Sequence, residues 1–194
     1  MERIEDSIEC NVPLKTCYNQ WTQFESFPEF MEGVKMVRQI DDRRCQWTAE
    51  IGGKEKSWEA EIYRQLPDKE IAWRATSGAK NQGRVTFESR GATSTLVRLN
   101  LEYEPEGAVE NIGEALGLIK KRVVGDLRRF KEFLEARKYE TGAWRGEIRG
   151  GEEEEGASGT VSATAQTTTG GDTAATPGGL PGSGPTRRRQ DRAI

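Results

Sequence analysis

The chemistry open to this chain is bounded first by an absence: none of its 194 residues is a histidine. That removes serine- and cysteine-protease triads, imidazole acid–base steps and His-based zinc sites. Carboxylate, lysine, tyrosine and thiol chemistry remain. Three polar residues share strand parity with apolar neighbours: Asp6 with Ile4 and Ile8, Arg38 with Val34, Met36 and Ile40, and Tyr103 with Val97, Leu99 and Leu101. They are the candidate catalytic groups, a carboxylate, a guanidinium and a phenol. Asp6 with Arg38 is a conceivable buried pair, because a lone buried charge is costly; strand ends reaching water are the plainer reading. Lys56 and Arg64 also have inward parity but flank the apolar centre of their strand, so they are expected at its rims. Glu50, Glu55, Glu59 and Glu61 fall on the outward parity of one hairpin and read as a solvated face beside Lys54, Lys56 and Arg64. Cys10, Cys17 and Cys45 form no CxxC pair and leave an odd thiol in any disulfide scheme. They read as small buried hydrophobes in a reducing, cytoplasmic compartment. No metal site and no cofactor is expected.

These residues must be positioned by strands and helices, and both periods are visible. Ile4, Asp6, Ile8, Cys10 and Val12 alternate with polar residues as a strand. Pro13 opens a short amphipathic helix with Leu14, Cys17, Tyr18 and Trp21 on one side. Phe24, Phe27 and Phe30 follow in steps of three, and Pro28 disfavours α geometry at Phe27, predicting a second helix broken there. From Val34 to Tyr103 the period is two, giving strands over 34–40, 43–51, 55–66, 70–77, 82–90 and 93–104. Short links such as Gly52-Gly53 predict an antiparallel meander, which the first strand joins as an edge or neighbour. Val109, Ile112, Leu116, Ile119, Val123, Leu127, Phe130 and Leu134 then form one apolar stripe along a long helix. The sheet face beside it makes intramolecular packing the better reading than a coiled coil. Gly113 and Gly117 inside that helix leave room for a ligand, permit bending as a gate or, more plainly, let helix and sheet approach closely.

Composition divides the chain. All aromatic residues lie in 1–144, and the last 44 residues hold nine Gly and three Pro. Such a segment cannot bury enough apolar surface to offset its ordering entropy, so 148–194 is expected to be a disordered tail carrying an arginine cluster at 187–189. Residues 1–147 make one domain. The net charge of −3 gives no basic footprint for a nucleic-acid partner. No apolar run is long enough to span a membrane, and the N-terminus lacks the apolar core of a signal peptide.

The order strand, two short helices, six-stranded meander and long C-terminal helix resembles the α+β helix-grip fold of the START-like superfamily. Residues 21–31, Ile71-Ala72-Trp73-Arg74 and Glu140-Thr141-Gly142-Ala143-Trp144-Arg145-Gly146 are similar to segments of its bacterial polyketide cyclase/dehydrase-like and coenzyme Q-binding-like members. The match spans about residues 2–147. Inward parity lines the sheet with Trp47, Trp58, Trp73, Phe87, Leu99 and Tyr103, the tryptophans alternating with alanines. This suits either a pocket for a planar or apolar ligand or a filled core. The resemblance implies a cavity between sheet and helix, to which Ile112, Leu116 and Ile119 would add the helix wall. It also implies a hydrophobic small molecule as partner, a lipid, an isoprenoid quinone or a polyketide-like aromatic. A cyclase would need a base near an acidic carbon and donors for an enolate oxygen. Tyr103, Arg38 and Asp6 form no convergent set for that, so catalysis is discounted. The alternatives kept are a cyclase/dehydrase-type enzyme and an interaction protein with a filled core. The sequence names no protein partner. Gly142 reads as a helix C-cap, and Trp144-Arg145 as a segment that folds back or, alternatively, touches a partner or transiently a membrane.

Overall fold

The computed structural model describes residues 1–51, 53–104 and 112–150, with the side chains of 112–116 outside that description. Val109 and the segment from 151 onward, with its arginine cluster, lie outside the described residues. Among the described residues, seven strands form one antiparallel sheet: β1 (Glu2–Cys10), β2 (Val34–Gln39), β3 (Arg44–Ile51), β4 (Lys54–Leu66), β5 (Glu70–Gly78), β6 (Asn81–Gly91) and β7 (Ser94–Tyr103). Their order is β1-β7-β6-β5-β4-β3-β2. The meander is as expected, and β1 closes onto β7 as an edge strand. Because β1 and β2 are consecutive in the chain yet lie at opposite edges, the segment between them must cross the sheet. It does so as α1 (Leu14–Trp21) and a 3-10 helix (Phe24–Glu29).

That 3-10 helix replaces the broken α-helix expected at Phe27. With three residues per turn, positions i and i+3 eclipse, so the spacing of Phe24, Phe27 and Phe30 stacks three buried rings on one side. Their centroids are 5.5 and 5.2 Å apart. Trp21 meets Phe27 edge-on at 5.7 Å and Phe130 at 4.8 Å, joining this aromatic group to the long helix, α2 (Ile112–Arg137).

Two register shifts correct the parity expectations. Pairing of β2 with β3 slips between Val34 and Met36, so Val37 is buried while Met36, Arg38 and Ile40 are exposed. Pairing of β4 with β5 slips between Ile62 and Arg64, and Gln65 turns inward in place of Arg64. Gln65 is buried and donates to the Tyr18 hydroxyl at 3.0 Å, whereas Arg64 pairs with Glu70. An inserted residue reverses the side-chain alternation and bends the strand. The bent sheet curls around α2.

Burial along α2 is graded. Leu127, Phe130 and Leu134 are fully buried and Val123 nearly so, Ile119 is half-buried, and Gly117 and Leu118 are exposed. The C-terminal half therefore carries the core contacts of the described residues. A Cβ added at Gly117 would meet nothing within 4 Å, which overturns the close-approach reading at that position. The surroundings of Gly113 lie outside the described residues.

After Arg137 the chain folds back as a strap. Lys138, at φ 64°, takes the left-handed cap position expected of Gly142, and its N–H donates to the Leu134 carbonyl at 2.8 Å. Gly142 serves close approach instead, since a Cβ there would strike the Gln23 side chain. The strap satisfies the buried polar residues of α1 and the turn after it. The Thr141 N–H donates to Gln20 Oε1 at 2.9 Å and the Trp144 N–H to Thr22 Oγ1 at 3.0 Å. Arg145 donates to Asn19 Oδ1 at 2.7 Å and to both carboxylate oxygens of Asp68, at 3.0 and 2.6 Å. Its guanidinium also lies over the Tyr18 ring. The Trp144 backbone and the Arg145 side chain are thus bonded within the fold, in line with the reading that this segment folds back. Ile148 is buried and exchanges backbone hydrogen bonds with Gln65, so the folded chain runs past 147.

Candidate functional site

Between the inner face of the sheet and α2 lies a cavity of about 290 Å³. Trp47 on β3 and Trp58 on β4 are directly opposed in register. Their rings stack at 5.7 Å, only 8° from parallel, and form a flat wall. Phe27 abuts Trp47 edge-on at 5.7 Å. Trp73 on β5 faces Gly83 on β6 and occupies the space a side chain would take there, because a Cβ on Gly83 would run into the Trp73 ring. The Trp73 indole N–H donates to Asn81 Oδ1 at 3.3 Å, and the Asn81 amide donates to the Ala79 carbonyl at 2.9 Å. Leu99, Leu101 and Tyr103 on β7 and Ile119 on α2 complete the apolar walls.

Of the expected binding residues, Trp47, Trp58, Trp73, Leu99, Tyr103 and Ile119 line this cavity. Phe87 does not: it is buried between Tyr18 and Trp21, at 5.5 and 6.0 Å, where α1 covers the sheet and fills the space. The side chains of Ile112 and Leu116 lie outside the described residues. The weak catalytic candidates separate. Arg38 is exposed on β2, and Asp6 is half-buried on β1 at the opposite edge of the sheet. The two make no ion pair, and neither lines the cavity. Tyr103 alone of the three does.

Residues that parity could not assign also contribute. Trp21, Phe24 and Phe27 wall the end beneath α1; their periodicity shows an apolar face but not what it meets. Cys45, also on the wall, is buried, and burial pushes its thiol from 9.0 up to about 12, so it stays protonated and unreactive at neutral pH. Charged residues also line the cavity, Glu32, Lys56, Lys80, Glu104, Arg122 and Asp126 among them. Arg122 on α2 donates to the Glu50 carbonyl at 2.6 Å, and Asp126 accepts the Glu32 N–H at 2.8 Å and pairs with Arg129. Arg129 also donates to the Phe30 carbonyl at 2.8 Å. These bonds latch α2 to the end of β3 and to the turn that follows the 3-10 helix. Burial raises the Asp126 carboxyl above the ordinary carboxylate range, against the lowering pull of the Glu32 N–H and Arg129. Lys80 pairs with Glu104 at 3.0 Å.

Tyr103 is 8% exposed, and its hydroxyl has no hydrogen-bond partner among the described residues. Burial, with the Glu2 carboxylate as a smaller cause, raises its pKa, so the phenol keeps its proton. Among the described residues no group of His, Cys, Asp and Glu is arranged to hold a metal ion, and no helix is long and apolar enough to cross a membrane.

The family described as Polyketide cyclase / dehydrase and lipid transport matches residues 10–132. An uncharacterised 17.2 kDa protein from the melC2-rnhH intergenic region of Streptomyces lincolnensis is 44% identical over 149 residues, covering 76% of this chain and 99% of that protein. A START superfamily protein from Mycobacterium smegmatis superposes with a TM-score of 0.57 at 19% identity, over 70% of this chain and 95% of its own. The Zhui aromatase/cyclase from Streptomyces sp. R1128 superposes at 0.61 and 14% identity, over 74% and 99%. At those identities the two structures speak for the helix-grip fold.

Proposed function

Since this chain belongs to the polyketide cyclase/dehydrase and lipid transport family, we propose that it binds, and by releasing carries, an apolar small molecule in the cavity between its sheet and α2. One observation carries the reading: a space of about 290 Å³ is walled mainly by Trp21, Trp47, Trp58, Trp73 and aliphatic side chains. A concave, largely apolar site with few polar groups is what such ligands require. A well-packed interior would have filled this space, because protein cores reach crystal-like density. Binding is favoured over turnover because Asp126, the carboxylate on the helix wall, is already engaged by the Glu32 N–H and Arg129. The Cys45 thiol beside the tryptophans is held protonated. The three cysteines are free, in keeping with a reducing, cytoplasmic setting.

The test is native mass spectrometry of the full chain after incubation with a mixture of fatty acids, short isoprenoid quinones and one- to three-ring aromatics. One equivalent should be retained. Ile119→Trp, which fills the cavity from a half-buried helix position, should abolish retention without loss of the cooperative thermal transition. No retained mass from any class overturns the carrier reading.

A further inference from the structure

We propose that the Tyr103 hydroxyl is the polar anchor of the ligand, so that the cavity takes a neutral molecule of one or two aromatic rings seated with a hydroxyl or carbonyl oxygen on that phenol. The proposal rests on the cavity-binding reading above and narrows it. Nearly all buried polar side-chain atoms in folded proteins have a partner, and an exception calls for an explanation. Here the exception lies on the wall of the cavity. No described neighbour relieves it. Asn81, directly across from Tyr103 in the sheet register, accepts from the Trp73 indole and donates to the Ala79 carbonyl. Among the described residues nothing occupies the hydroxyl, which can donate to, or accept from, a ligand oxygen.

Charge and size define the rest of the ligand. Glu2 lies opposite Tyr103 on β1, and Lys80 is already paired with Glu104, so this end offers no net positive site for an anion. A neutral oxygen fits. The flat Trp47–Trp58 wall favours a planar ring system, which stacks in offset or edge-on contact. The volume of about 290 Å³ is roughly twice the ~150 Å³ apolar cavity known to take up one benzene ring. Two fused rings match a space of that size, whereas a long isoprenoid tail or a pair of acyl chains would have to extend out of it.

The experiment is equilibrium dialysis of the full chain against 2-naphthol and 2-methylnaphthalene, which match in shape and differ in the hydroxyl. The wild type should bind 2-naphthol at least about tenfold more tightly, because only that probe satisfies the buried phenol. Tyr103→Phe should lose this preference and keep its affinity for 2-methylnaphthalene. If the wild type binds both probes equally, the anchor is wrong while the apolar cavity stands. If Tyr103→Phe keeps the preference, another group holds the oxygen and the proposal falls. If neither probe binds while a longer lipid does, the size limit and the anchor fall together. If nothing binds, the carrier reading itself fails.

Discussion

Gly83 is the residue on which the cavity wall turns. Its missing side chain is replaced by the ring of Trp73, which is held in place by the bond from its indole to Asn81. Gly83→Val should displace that ring and cost roughly 1–3 kcal/mol, as overpacking of a close contact does. Urea unfolding would show this as a lowered midpoint at unchanged slope, and Trp73→Leu in the same chain should recover part of the loss, because the two side chains share one space. An additive double mutant would refute the arrangement. Trp47, Trp58, Trp73 and Tyr103 were legible from alternation alone because each shares a face with apolar residues two positions away on its own strand. Arg38 and Arg64 were not, because a single inserted residue in β2 and in β4 reverses the alternation without changing composition. Gly83 was silent as well: a glycine in a strand carries no sign of which neighbour needs its space.

At the scale of elements, the strap after α2 governs more than its irregular backbone suggests. It supplies partners for Asn19, Gln20 and Thr22, three buried polar residues around the end of α1. Arg145→Ala would take the partner from Asn19 Oδ1 and the bidentate contact from Asp68. We expect a loss of about 1–3 kcal/mol, the cost of leaving a buried acceptor unsatisfied, measured as a fall in the urea midpoint. Arg145→Lys should recover little, since a single ammonium cannot reproduce the planar fork. No change in Arg145→Ala would mean the strap is merely laid on the surface. The order of elements was readable because each period is long and unbroken. The strap's own bonds were not, because polar side chains meeting polar side chains more than a hundred residues away leave no local pattern. The phenylalanine spacing was visible, but its geometry was misassigned: steps of three fit an interrupted α-helix and a 3-10 helix alike, and tertiary packing of the rings decided for the latter.

For the molecule as a whole, the interior weak acids set its response to alkali. Tyr18, Tyr103, Cys17 and Cys45 all have raised pKa values. Burial is the leading cause for both tyrosines and Cys45, and the hydrogen bond with Cys10 for Cys17. Each holds its proton more tightly folded than unfolded, so between the unfolded and folded values the unfolded chain carries fewer protons and stability falls as pH rises. For Cys45 that window runs from 9.0 to about 12. The urea midpoint should therefore decline from about pH 9 upward, and more shallowly in Cys45→Val, by the share of one proton. An identical slope in the variant would show that this thiol titrates normally. The placement of the tryptophans has a consequence of another kind. Of the five in the chain, Trp21, Trp47, Trp58 and Trp73 look into the cavity and only Trp144 does not. The near-ultraviolet emission of the protein is therefore dominated by its cavity, and an aromatic guest should quench it with no added dye. The near-parallel Trp47–Trp58 pair should further give a split circular-dichroism band that Trp58→Phe erases and an aromatic guest reshapes, so the free and loaded forms differ in ultraviolet spectrum as well as in mass.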